Sequence, residues 1–147
     1  MLVAGIIVGI ILFLILLLVE FIYLSNHFKA KRARAEAENR HFDQYWLGRS
    51  GGGFIGVKNQ QVTVYKTEKA EETFKTSRLY VFTDKNRVDF NKTYAPLTVH
   101  QKLFGMFLKP EDYTSFIAWL HKQQVLVTPE AQVLADAKTV LKEHQEN

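Results

Sequence analysis

The sequence contains no cysteine. That excludes disulfide scaffolds, thiolate zinc sites, iron–sulfur clusters and cysteine nucleophiles, though it assigns the chain to neither redox compartment. Metal-ligand spacing is also missing. Among His27, His41, His100, His121 and His144 no pair has H-x-x-x-H spacing around a Glu, and a catalytic zinc usually takes three protein ligands. Asp84 and Asp89 bracket a turn without the twelve-residue calcium-loop pattern. Serine is scarce (Ser25, Ser50, Ser77, Ser115), and Ser50-Gly51 after Arg49 comes nearest to an active loop. Gly51-Gly52-Gly53 lacks the Lys of a phosphate-binding loop and precedes a strand pattern instead of opening a helix. The segment is read as a hinge. No catalytic residue, cofactor or metal is assigned, and the chain is read as non-enzymatic.

Charge is absent from Leu2 to Val19, and after Glu20 the apolar run resumes through Phe21-Ile22-Tyr23-Leu24. As a helix, 23 residues span about 34 Å, which matches a hydrocarbon core of about 30 Å. A backbone in lipid must satisfy its own hydrogen bonds, so a single apolar segment crosses as a helix. Glu20 sits near one end, and Phe21, Tyr23 and Phe28 lie where an aromatic belt belongs. A cleavable signal would want a basic start, a shorter core and a small-residue cleavage site; Ser25-Asn26-His27 offers none. Residues 1–24 are therefore expected to be an uncleaved membrane anchor. Gly5 and Gly9 have the spacing that permits close helix–helix packing.

Lys29, Lys31, Arg32 and Arg34 follow the apolar run closely. The positive-inside rule puts them and everything after them in the cytoplasm, or on the matrix or stromal side of an organelle, with the N-terminus outside. Residues 29–40 carry five basic and two acidic side chains, and residues 41–147 carry 14 and 12, within a net charge of +4. Basicity thus concentrates beside the membrane, where anionic headgroups attract it. No nucleic-acid module is present, and nucleic acid is not an expected partner.

Residues 25–47 are rich in helix formers without Pro or Gly, and predict a helical stalk continuing the anchor. Arg32–Glu36 and Arg34–Glu38 have i,i+4 pairing distance. Phe42, Tyr45 and Trp46 would share one helical face and dock on the body. A hinge at 48–53 would then lead to a small domain at 54–147.

That domain reads as α+β: a small antiparallel sheet packed by C-terminal helices. Phe54–Val57 and Val62–Tyr65 form a hairpin around Lys58–Gln61, residues 67–73 read as a charged loop, Phe74–Thr83 contains the strongest strand at Arg78–Thr83, and Arg87–Phe90 is its return strand. Val99, Leu103, Met106 and Phe107 suggest a helix. Pro110-Glu111-Asp112 starts a further one, with the core stripe Tyr113, Phe116, Ile117 and Leu120. Val125–Val127 suggests an edge strand, and Thr128-Pro129 opens a last helix carrying Val133, Leu134, Ala137, Val140 and Leu141. A sheet so capped is compatible with a pleckstrin-homology-like body on an anchor, a fold-level analogy that implies nothing about ligands. The expectation is a single-pass accessory subunit whose partners are the lipid bilayer and a larger membrane protein or a second copy. The alternative is a tethered lipid- or ligand-binding sensor, with Lys29, Lys31, Arg32 and Arg34 contacting headgroups.

Overall fold

A computed structural model describes residues 1–66, 70–92 and 104–132. Its first element is one unbroken helix, α1, from Leu2 to Asn39. The apolar part is long enough to cross a membrane, and none of it is buried against the rest of the molecule. Its only buried residues are Ala33 and Ala37, both in the polar extension. The helix closes where the Arg40 N–H donates to the Glu36 carbonyl, the His41 N–H donates to the Glu38 carbonyl, and His41 turns to φ 53°.

Helix-forming composition extends the stalk to Leu47, whereas the chain leaves the helix eight residues earlier and Gln44–Leu47 form strand β1. Pairing with β2 (Gly53–Lys58) overrides local propensity, since Tyr45, Trp46 and Leu47 are good strand residues once a partner edge is available. Residues 48–53 are also not a free hinge. A single turn of 3-10 helix, Arg49–Gly51, joins β1 to β2, and Gly48, Gly51 and Gly53 are buried.

Strands β1, β2, β3 (Gln61–Lys66) and β4 (Ala70–Lys75) form an antiparallel meander. The β2–β3 turn is Asn59-Gln60, with both residues at positive φ, as a twisted two-residue hairpin requires. The predicted loop at 67–73 is strand β4 from Ala70 onward. Its Glu71 and Glu72 are tolerated because β4 is an edge strand, where charge is compatible with pairing on one side.

A second sheet has the order β7-β6-β5-β8, from β5 (Tyr80–Asp84), β6 (Arg87–Asn91), β7 (Phe104–Phe107) and β8 (Leu126–Pro129). Met106 and Phe107, expected on a helix, lie on β7, where Met106 pairs with Val88 and Phe107 with Arg87. Val99 and Leu103 lie outside the described residues. Helix α2 (Pro110–Lys122) begins at the predicted proline and carries the chain across to β8, which therefore runs parallel to β5, unlike the other pairs. The edge strand expected at 125–127 is this β8. Thr128 and Pro129 end it, residues 130–132 are helical as predicted, and Val133, Leu134, Ala137, Val140 and Leu141 of the expected helix lie outside the described residues.

The core sits between the sheets. Trp46, Ile55, Val57, Val62, Val64 and Phe74 from the first meet Val81, Val88, Phe90 and Met106 from the second, and Phe116 and Leu120 of α2 close the layer. Each fully buried side chain of this kind contributes about 1.5–3 kcal/mol by leaving water. The body is thus α+β as expected, with two sheets in place of one.

Candidate functional site

Alternation along the first sheet gives it a second apolar face. Ile55 and Val57 point into the core, so Phe54 and Gly56 point outward, toward α1. Ala33 and Ala37, one turn apart, present only methyl groups there and pack with Phe54, Phe42, Tyr45, Leu47 and Tyr65. Phe54 is stacked on Tyr65 at 5.0 Å and tilted against Phe42 at 5.5 Å. The Phe42 ring occupies the space that a side chain at Gly56 would fill, since a Cβ there would lie 2.5 Å from it.

Arg40 fastens the far end of this dock. Its guanidinium donates to Glu71 of β4 and to Glu36 of α1, and lies over the Phe54 and Tyr65 rings at 5.8 and 5.5 Å. The Glu71 hydrogen bond is the main reason its pKa is raised. The near end is fastened at Gly51. A Cβ there would lie 2.8 Å from the Asn26 carbonyl oxygen and 3.0 Å from the Ala30 nitrogen. From Asn26 to Arg40 the helix therefore lies along the body as part of it.

Near the Gly51 end, α1 and the body part to leave an open cleft of about 790 Å³. Lys31 and Arg34 line it from the helix, Ser50, Lys109 and Asp112 from the body, and Tyr23 and His27 from the side where the apolar run ends. The expected Arg32–Glu36 and Arg34–Glu38 pairs are absent. Glu36 is taken by Arg40 at 3.0 Å, and Glu38 accepts the Tyr45 hydroxyl at 3.2 Å. Burial, and then that hydrogen bond, raises the Tyr45 pKa.

The predicted site residues are thus divided. Lys31 and Arg34 share the cleft, Lys29 packs its Cβ on Gly51, and Arg32 faces a separate shallow groove with Phe21, Leu24 and Phe28. Phe42, Tyr45 and Trp46 do not form one docking face, because the last two are neighbours on a strand and point to opposite sides. Phe42 and Tyr45 serve the α1 dock. Trp46 enters the core against Phe116 at 4.9 Å and Trp119 at 6.0 Å, and donates its indole N–H to Ser115 Oγ at 3.1 Å. A Cβ at Gly5 or Gly9 would meet nothing within 4 Å among the described residues.

Gly48-Arg49-Ser50-Gly51-Gly52 does fit G-x-S-x-G, which the hinge reading passes over. A nucleophile elbow places that serine between a strand and a helix, beside a base. Here Ser50 lies between two strands, and although it shares the cleft with His27 and Asp112, no hydrogen bond links the three. Asp89, the only buried carboxylate among the described residues, is held by Arg87 at 3.0 Å. His100 lies outside the described residues, and no cluster of three metal-binding side chains occurs among the described ones. Sequence reasoning took Asp112 as a helix-start residue without placing it at this cleft, and missed Lys109, the Arg40 clamp and the Ala33/Ala37 pair. Only the last left a signal, two small residues four apart in a charged segment.

No family model, curated protein or solved structure matches the chain.

Proposed function

We propose that the chain is a single-pass membrane protein that carries a small α+β module on the cytosolic side, and that it acts without catalysis, as an accessory subunit contacting a larger membrane protein. The observation that carries the reading is the continuity of α1. Its exposed apolar half and its docked polar half are one helix, so the bilayer and the body share a rigid element. Such a joint fixes the orientation of the module relative to the membrane, which a flexible tether does not. The basic residues after the apolar run support the cytosolic assignment. The open faces at Gly5 and Gly9 suit a partner helix.

The test has two parts. The chain should resist extraction from membranes by alkaline carbonate, and the tagged protein should bring a stoichiometric membrane partner from mild detergent. Carbonate release would overturn the anchor. A clean chain without a companion would overturn the subunit role and favour the tethered binding module, for which the basic cleft is the specific observation.

A further inference from the structure

The cleft beside Gly51 lies at a defined depth if α1 spans the bilayer. Gly51 touches α1 at Asn26 and Ala30, two to six residues beyond Leu24. At about 1.5 Å per residue this is about 3–9 Å past the apolar run. The headgroup layer of each leaflet occupies about 5–8 Å outside the hydrocarbon core. The near end of the body therefore sits among the headgroups, and the cleft begins there at Tyr23, Asn26 and His27. Lys31 and Arg34 start about 10 and 15 Å past the run, and helical side chains tilt back toward the N-terminus, the membrane side.

The charge of the cleft suits what lies at that depth. Lys31 and Arg34 come from α1, and Lys109 comes from the body, where it is the N-cap residue of α2. None of the three forms an ion pair among the described residues, because the nearby carboxylates Glu36 and Glu38 are committed to Arg40 and Tyr45. Among the described residues Asp112 is the only carboxylate on the cleft wall. Three exposed cations line one cleft from two elements, which neither a solvated helix face nor a loop of the body alone would provide.

We propose that this cleft binds the phosphate of an anionic membrane lipid, held between Lys31 and Arg34 on one side and Lys109 on the other. The bound headgroup would bridge the anchor helix and the body at the bilayer surface. The inference rests on the reading of α1 as a membrane span and adds a specific lipid site to it. It also divides the juxtamembrane cations. Arg32, in the separate groove with Phe28, contributes only general attraction to the surface.

The test uses the full-length chain in nanodiscs of mixed phosphatidylcholine and phosphatidylglycerol, released into mild detergent for native mass spectrometry. Phosphatidylglycerol should be retained over phosphatidylcholine. Lys109→Ala and Arg34→Ala should each weaken retention by about fivefold, the effect of one surface cation on an anionic lipid. Lys109→Arg should preserve retention, Asp112→Asn should strengthen it, and Arg32→Ala should leave it unchanged. Equal retention of the two lipids, or equal losses from Arg32→Ala and Lys109→Ala, would overturn the site. Displacement of the lipid by millimolar inorganic phosphate, with the same dependence on Lys109, would also overturn it by making the ligand a soluble phosphate. Matching thermal melts of the variants would exclude misfolding. Carbonate extraction separates the two readings: a chain that resists it yet shows no lipid preference loses only the cleft, whereas a chain that is released loses the anchor as well.

Discussion

Gly51 is the residue on which the joint between helix and body most directly depends. It has φ +72°, and any Cβ would press on backbone atoms of α1 that have no rotamer to escape into. Gly51→Val should cost about 1–3 kcal/mol through overpacking, with further strain from the left-handed backbone. For a domain of this size each kcal/mol lowers the midpoint by about 4–8 °C, which a thermal melt of the solubilised chain would read. Phe116→Ala tests the core instead. Its ring is fully buried between the sheets, so its loss should cost about 3–5 kcal/mol.

Tyr45 gives a pH signature. Burial and the Glu38 hydrogen bond raise its pKa above the ordinary 10.0. A raised folded-state value means that the proton is held more tightly in the folded chain. The associated stability is complete below the unfolded pKa and is lost as pH rises through the folded one. The stability advantage of the natural chain over Tyr45→Phe should therefore be flat near neutrality and shrink above about pH 10. Chemical denaturation at a series of pH values would check this. An advantage that grows with alkali would contradict the assignment.

At the scale of elements, the dock of α1 on the first sheet makes the sharpest prediction. Ala37→Leu enlarges a fully buried methyl group against Phe54 and should cost about 1–3 kcal/mol. Ala35→Leu, on an exposed position of the same helix, should leave the melt unchanged. Equal effects would mean that the helix does not rest on the sheet in solution.

What was legible in the sequence follows from how local each signal was. The apolar run, the Asn59-Gln60 hairpin, the turn before Arg87 and the Pro110 helix start are each set by a few adjacent residues, and all are present. Gln44–Leu47 and Phe104–Phe107 misled because their apolar spacing suits either period over so few residues, and a distant strand decided between them. β4 was hidden by Glu71 and Glu72, which an edge position permits. Half of the cleft was visible as a basic cluster. Lys109 joins Lys31 and Arg34 only through the β1–β2 turn and the Gly48–Leu108 bridge, and no short-range pattern announces that.

For the whole molecule, α1 passes from its exposed apolar half to run down the outer face of the first sheet. β1 returns the chain at Gly48–Gly53 to the end of the body nearest the apolar half of α1, and β2 leads away again to Asn59-Gln60. In the proposed orientation the two ends of the body meet different environments. Six residues of β2 separate them, about 20 Å at strand rise. The most direct test exploits the absence of cysteine, which lets single spin labels be placed without background. Labels at Ile10, Ser50 and Gln60 of the reconstituted full-length chain would be compared for collision with oxygen and with a water-soluble nickel chelate. The account predicts Ile10 in the hydrocarbon, Ser50 at headgroup depth and Gln60 in water. A label at Ser50 as accessible to the nickel chelate as one at Gln60, or a label at Ile10 reporting water, would contradict it.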